Sequence, residues 1–253
     1  MMRGSVTSRE MRAIEMNAGY LGMSSSQLME NTGGAVASEV ARRFKAGEGK
    51  VVAVVGTGRN GGDGMVAARR LAGMGYDVHV FLVGDPAHMR RRTVRKNWDV
   101  LQVMDRTVET RVCRDSTEII PVGGMVVLDA VLGIGYNGPL KPPLLHAVRR
   151  INESDGVTIA VDVPTGLDAD TGQVANVAVK AALTITFHRS KTGLTRGKEY
   201  TGDIVIVDIG IPPEASAYVG PGYVALTRRV RDVQSHKGDH GRLLIVVGSE
   251  TYS

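Results

Sequence analysis

The sequence predicts an α/β fold: a doubly wound, mostly parallel sheet with helices on both faces, a Rossmann-like three-layer αβα arrangement, extended by helices at the N-terminus. Three observations predict it. Seven short apolar runs alternate with segments that are helical or loop-like. Several runs, Val51–Val55 among them, are continuously apolar rather than alternating, as expected of parallel strands covered on both faces. The run Val51–Val55 enters GTGRNGGDG, a turn with five glycines in nine residues, and helical periodicity follows at once.

In chain order, Thr7 to Phe44 reads as helices. Thr7-Ser-Arg-Glu10 is a capping box, with Met11, Ile14, Met16 and Ala18 behind it. A break at Gly19–Ser26 precedes a second helix, whose start and apolar face are set by Ser26, Leu28, Met29, Ala35, Val36 and Val40. The strands expected next are Val51–Val55, Val78–Val83, Glu109–Cys113, Met125–Asp129, Val157–Val163, Leu183–Phe187 and Ile204–Asp208. Pro142 suits the first turn of a helix over Leu144–Ile151. After Ile211-Pro-Pro213 the pattern changes. Ala215–Gly241 reads as irregular and polar, and a strand is expected over Leu243–Val247. Residues 1–213 are therefore expected to form one domain, and residues 214–253 a linker with the opening strand of a second, cut short.

Bulk composition narrows the function classes. The chain has 253 residues, 43% of them hydrophobic, which suits one domain or one plus a fragment. Aromatics are 4%, so the core must be built from aliphatic side chains and Met. Net charge is +5, with a basic run at Met89–Trp98, MRRRTVRKNW. No interleaved aromatics or RNA-binding signature accompany that run, so it reads as a solvated helix face and no nucleic-acid partner is expected. Cys113 is the only cysteine, which excludes an intrachain disulfide; its strand-like setting suggests a buried, inert thiol. The N-terminus lacks the apolar core of a signal peptide and no apolar run approaches a membrane span, so a cytoplasmic, membrane-free protein is expected.

In open α/β sheets ligands lie beyond the carboxyl ends of the strands. Gly56, Gly58 and Gly61 match the G-x-G-x-x-G of a dinucleotide site, with phosphate at the following helix N-terminus. Two details argue against an ordinary site of that kind. Asp63, at the start of the helix, would repel a pyrophosphate, and Asp85 sits in a turn as a poor ribose-binding acid. Asp63 either caps the helix or faces a cation, a ligand hydroxyl or a ring nitrogen. Asp129 ends a second strand, before a loop with Gly133, Gly135 and Gly138; it is either capped by amides or a cation ligand. Asp162 interrupts a third apolar run and is followed by Pro164-Thr-Gly-Leu-Asp. Together with Asn60 and Thr165, these acids fit a hard cation with oxygen ligands or an acid–base pair. No His or Cys pair has zinc spacing. Lys191 can neutralise a carboxylate or meet a phosphate, and nearby His188 reads as a satisfied, partly buried histidine.

The segments GTGRNGGDGMVAARRL, LDAVLGIGYNGPL, IAVDVPTGLDADTG and TFHRSKTGL, in this order, resemble the YjeF N-terminal domain family of NAD(P)HX epimerases. LMENTGGAVA looks like that family's helix before the first strand, and the likeness spans residues 7–213. The tail HKGDHGRLLIVVGSETYS resembles the start of the ADP-dependent NAD(P)HX dehydratase domain that follows the epimerase in bifunctional repair enzymes; dehydratase activity is not expected from so short a piece.

The resemblance implies epimerisation of the R and S forms of hydrated NADH or NADPH, in nicotinamide nucleotide repair. It implies ligand-binding segments at Arg59, Asn60, Gly61, Gly62 and Asp63, at Gly133, Ile134, Gly135, Tyr136, Asn137, Gly138 and Pro139, and at Asp162. It implies a potassium ion held by Asn60, Asp129 and Thr165. Asp162 is expected to carry the proton transfers, assisted or positioned by Asp63 and Lys191. Two positions depart from the family pattern: Arg59 stands where the family usually has Asn, and Thr165 where Ser is common. A nucleotide-binding or interaction module without turnover, and an NAD(P)-dependent oxidoreductase, are the rival readings. The N-terminal helices offer a face for a homodimer or larger homo-oligomer.

Overall fold

The structure is a computed structural model that describes residues 4–119 and 123–227, together with 244, 245 and 248. Two helices open the chain, α1 (Ser8–Tyr20) and α2 (Ser25–Arg43). Both begin with capping boxes. Thr7 and Glu10 close the first as expected, whereas the second uses Ser24 and Gln27, two residues before the Ser26 marked by the sequence.

Seven parallel strands follow: β1 (Lys50–Val55), β2 (Asp77–Val83), β3 (Val108–Cys113), β4 (Val126–Ala130), β5 (Val157–Val161), β6 (Leu183–Phe187) and β7 (Asp203–Val207). Each expected strand is present within two residues of its bounds. The sheet order is β3-β2-β1-β4-β5-β6-β7, so the direction of winding reverses between β1 and β4. That reversal leaves a crevice at the carboxyl ends of β1 and β4, where the connections depart in opposite directions.

The helices between the strands are α3 (Arg59–Gly73), α4 (Arg92–Val103) and α5 (Leu144–Asn152). Alternate strand residues separate two cores. Val51, Ala53, Val55, Leu128 and Ile159 face α1 to α4, while Val52, Val54, Val127 and Ala160 face α5 and the segment around Val179. Val51–Val55 are buried throughout, which is why this strand carries no polar alternation. On α4 the basic run turns outward while Val94 and Trp98 enter the core, as expected of a solvated face. Cys113 is buried, and burial pushes its thiol pKa up. No described helix is long and apolar enough to cross a membrane.

Two expectations are corrected, and a third falls mostly outside the described residues. Pro142 lies before α5, and Pro143 takes the N-cap. Within the stretch expected to be irregular, α7 (Glu214–Ala217) and α8 (Pro221–Thr227) form, after the short α6 (Lys198–Thr201). They pack on α1, where the buried Asn17 amide donates to Ala215 O at 2.8 Å and accepts from Gly222 N at 2.8 Å. Of the strand expected over Leu243–Val247, Leu243, Val246 and Val247 lie outside the described residues, and Leu244 and Ile245 are exposed and outside any strand.

The close approach of α2 to α3 depends on Gly33, where an added Cβ would sit 2.4 Å from Val66 Cβ and 2.7 Å from Asp63 O. Gly33→Ala is therefore expected to destabilise the fold by roughly 1–3 kcal/mol through overpacking, read as a lower urea midpoint with an unchanged m-value.

Candidate active site

The crevice between β1 and β4 is closed from below by glycines that admit no side chain. A Cβ on Gly61 would lie 1.8 Å from Gly56 O, and one on Gly56 would lie 2.1 Å from Val131 O. The first turn of α3 therefore rests directly on the backbone leaving β1 and β4. Asn60, in that turn, donates from Nδ2 to Leu132 O at 2.9 Å. Thr165 reaches the same residue: its hydroxyl accepts from Leu132 N at 3.0 Å and lies 3.3 Å from Leu132 O.

Asp129 is fully buried at the end of β4 and accepts from Thr165 N at 2.7 Å, Thr165 Oγ1 at 2.6 Å and Val131 N at 3.4 Å. Burial outweighs these donors and raises its pKa to about 6. The amide-capped reading of Asp129 describes this arrangement, and among the described residues the carboxylate makes no ion pair. Asn60 Oδ1 is the only buried side-chain oxygen or nitrogen without a hydrogen-bond partner among the described residues. Asn60, Asp129 and Thr165, expected together, are brought together around Leu132.

Asp162 follows β5 with a left-handed backbone, φ 69°, a conformation that non-glycine residues adopt at local cost. Its Oδ1 accepts from Lys191 Nζ, from Thr186 Oγ1 at 3.1 Å and from Phe187 N at 3.4 Å. Lys191 is 1% exposed and also donates to Thr186 Oγ1 at 2.9 Å and Phe187 O at 3.2 Å. Its ammonium is wholly occupied in holding Asp162, so it neutralises a carboxylate and is not free to meet a phosphate. The N-terminal segment locks this arrangement: Val6 N donates to Ser190 O at 2.9 Å, and Thr192 N donates to Val6 O at 3.1 Å. His188, half-buried, meets Ser216 Oγ at 3.4 Å, and burial lowers its pKa.

Asp63 does not cap α3. The N-cap is Gly58, and the Asp63 carboxyl instead meets the Thr32 hydroxyl of α2. It is half-buried, open toward the rim yet deep among protein atoms. Its pKa is raised well above the ordinary range by burial first; the charges of Asp162 and Glu15 add to this, Arg59 acts against it, and so would Thr32 wherever its hydroxyl hydrogen is given to the carboxylate. Asp162 follows β5 and Asp63 lies in the first turns of α3 after β1, so both carboxyls belong to the carboxyl-end side of the sheet, and the charge of Asp162 is felt at Asp63.

The remaining ligand candidates divide. Gly133 borders the crevice, with its missing Cβ 3.2 Å from Asn60 Cβ, and Ile134 O accepts from Arg12 at 3.2 Å beside Gly135. Arg59 pairs with Glu15 of α1. Tyr136 turns away to bond Pro139 O at 2.8 Å and packs with the α5-side core, and Asn137, Gly138 and Pro139 are exposed. Sequence reasoning passed over Thr32, Arg12, Glu15 and Thr186, which reach the site from helices or from within a strand and carry no motif of their own. Cavities of about 480 Å³ at Phe44, Leu183 and Val205 and about 340 Å³ at Ser116 and His146 lie elsewhere, the first at the opposite rim of the sheet. No group of three His, Cys, Asp or Glu side chains suited to a metal occurs among the described residues.

Comparison with known proteins agrees with this geometry. The model of the family described as YjeF-related protein N-terminus matches residues 25–193. A relative from Hyperthermus butylicus, named bifunctional NAD(P)H-hydrate repair enzyme Nnr, is 46% identical over 98% of this chain and 46% of its own length. The chain thus spans about half the length of the bifunctional relatives it matches. A shorter relative from Cenarchaeum symbiosum, named NAD(P)H-hydrate epimerase, is 39% identical over 83% of this chain and 97% of its own. The crystal structure of the yeast protein YNL200c shares the fold, with a TM-score of 0.68, 23% identity and coverage of 81% of this chain and 88% of that one. With six of its seven strands and the candidate residues from Arg59 to Lys191 inside the matched segment, the chain belongs to the YjeF-related N-terminal family.

Proposed function

We propose that this chain interconverts the R and S forms of NAD(P)HX, the C6-hydrated forms of NADH and NADPH, as a step in nicotinamide nucleotide repair. The observation that carries the reading is the buried Asp162 carboxyl, held by Lys191, Thr186 and the Phe187 amide beyond the carboxyl end of β5, on the same side of the sheet as Asp63. The shorter relatives, named NAD(P)H-hydrate epimerase, support it. Residues 1–213 are read as the epimerase unit. Residues 214–253 are read as a linker and the opening of a second, dehydratase-like domain.

Epimerisation at C6 proceeds either by loss and return of the hydroxyl through a planar iminium or by opening of the C6–N1 bond to an aldehyde and reclosure; we follow the first route. That needs a proton donor at the departing oxygen and an acceptor at the arriving one. Asp162 serves as one partner, its Oδ1 held by Lys191, Thr186 and the Phe187 amide while the carboxylate keeps its place beside Asp63. Lys191 positions it. Arg59, Gly133, Ile134 and Gly135 line the approach for the nucleotide, with Arg12 and Arg59 as the nearby cations for its phosphates.

The residues fit a potassium ion. Asn60 Oδ1 is buried without a partner, its amide is oriented by Leu132 O, and Asp129 is a buried carboxylate short of positive charge. Asn60, Asp129 and Thr165 would hold the ion, which when bound supplies charge that fixes the loops of the crevice.

Asp162→Ala is expected to lower the exchange rate of R- and S-NADPHX by about 10²–10⁴-fold. Chromatography of the two epimers reads this, and a wild-type rate in the variant would refute the assignment. Lys191→Met leaves the Asp162 carboxylate unpaired in a buried site and is expected to lower stability by about 3–5 kcal/mol in a denaturant titration. For Asp129 the folded pKa of about 6 lies above the unfolded value, so in potassium-free buffer stability falls as pH rises from about 4 to about 6, by about 3 kcal/mol in all. Potassium is expected to raise Tm more at pH 7.5 than at pH 5, which thermal melts in potassium and in a large organic cation would check.

A further inference from the structure

Thr32 lies on α2, buried, with its hydroxyl oxygen between two other oxygens. One is the carbonyl of Met29, 2.9 Å away, and the other is Asp63 Oδ1. A hydroxyl carries a single hydrogen, and a backbone carbonyl can only accept. If that hydrogen points to Met29, the contact with Asp63 holds only when the carboxyl itself supplies a proton. If it points to Asp63, two lone-pair-bearing oxygens face each other at 2.9 Å with nothing between them. With a full two-centre hydrogen bond in each contact, instead of one hydrogen shared between two acceptors, a single state remains: Asp63 protonated and donating to Thr32, and Thr32 donating to Met29.

The surroundings favour the same state. Asp162 and Glu15 bring negative charge toward Asp63. Arg59 opposes them, but its guanidinium is already paired with Glu15, and Lys191 is occupied by Asp162. Burial adds to the penalty on a charged Asp63. Asp162 is treated in the opposite way: an ammonium, a hydroxyl and a backbone amide all converge on its Oδ1.

We propose that Thr32 is a positioning residue that keeps the Asp63 carboxyl protonated, so that Asp63 meets the substrate hydroxyl as an acid while Asp162 meets water as a base. This rests on the epimerase reading. In one direction Asp63 gives its proton to the C6 hydroxyl, the C6–O bond breaks, and water leaves as the N1 lone pair forms the C6=N1 bond. A water on the other face then forms the new C6–O bond, the electron pair returns to N1, and the released proton passes to Asp162. The opposite direction runs the same steps with the two carboxyls exchanged, and solvent returns the proton between turnovers.

The test is difference infrared spectroscopy of the ligand-free protein, following the C=O stretch of a protonated carboxyl with pH and marking it by its loss in Asp63→Asn. A band assigned to Asp63 that persists at neutral pH is expected. In Thr32→Val its titration midpoint is expected to fall by about one pH unit, the shift that corresponds to losing one hydrogen bond. Thr32→Ser is expected to restore the midpoint, and Thr32→Ala serves where the valine does not fold. The alkaline limb of kcat for epimer exchange is expected to move with the infrared midpoint. A midpoint that stays or rises in both hydroxyl-free variants overturns the proposal, because Thr32 would then be donating to a carboxylate; the epimerase reading would survive. Failure of the unaltered protein to exchange R and S forms would instead remove the epimerase reading and, with it, the acid role, while the infrared midpoints would still report the Thr32–Asp63 contact.

Discussion

Three aspartates beyond the carboxyl ends of the strands resist burial, and the architecture around β1, β4 and β5 is arranged to accommodate them. Each receives a different treatment. Asp162 is matched with an ammonium, Asp129 with backbone and hydroxyl donors, in a site where the Asn60 amide oxygen is left without a partner, and Asp63 with a hydroxyl that it shares with the carbonyl of Met29. The glycines at positions 56 and 61 make this possible, since they let the first turn of α3 settle onto the backbone leaving β1 and β4 and bring Asn60 to Leu132.

The reversal of winding supplies the place for this gathering. Between β1 and β4 the connections diverge, leaving backbone and side-chain groups facing a gap instead of a covering helix. α1 closes over one side, with Arg12 on Ile134 O and Glu15 on Arg59. The helical extension is therefore part of the crevice wall as well as of the core, where Met11, Ile14 and Ala18 are buried.

Most of the sheet was legible in the sequence because its strands are buried on both faces, and a run such as Val51–Val55 has no other comfortable setting. Asp129 and Asp162 were legible for the converse reason: each interrupts an apolar run where an isolated charge is costly. The Asp63 environment was not. Thr32 sits on a helix distant in sequence, and nothing in LMENTGGAVA distinguishes a threonine that touches a carboxyl from one that bonds its own helix; here it does both. α7 and α8 were missed because short helices stabilised by docking carry little periodicity, and their anchor is a single amide, Asn17, two hundred residues upstream.

Val6 pairs with the backbone on either side of Lys191, joining the start of the described chain to a segment beyond β6. Closing a loop of that length carries an entropic cost that the contact must offset. The start of the described chain thereby forms part of the wall around the Lys191 ammonium, so the protonation and burial of the pair with Asp162 depend on a segment far from it in sequence.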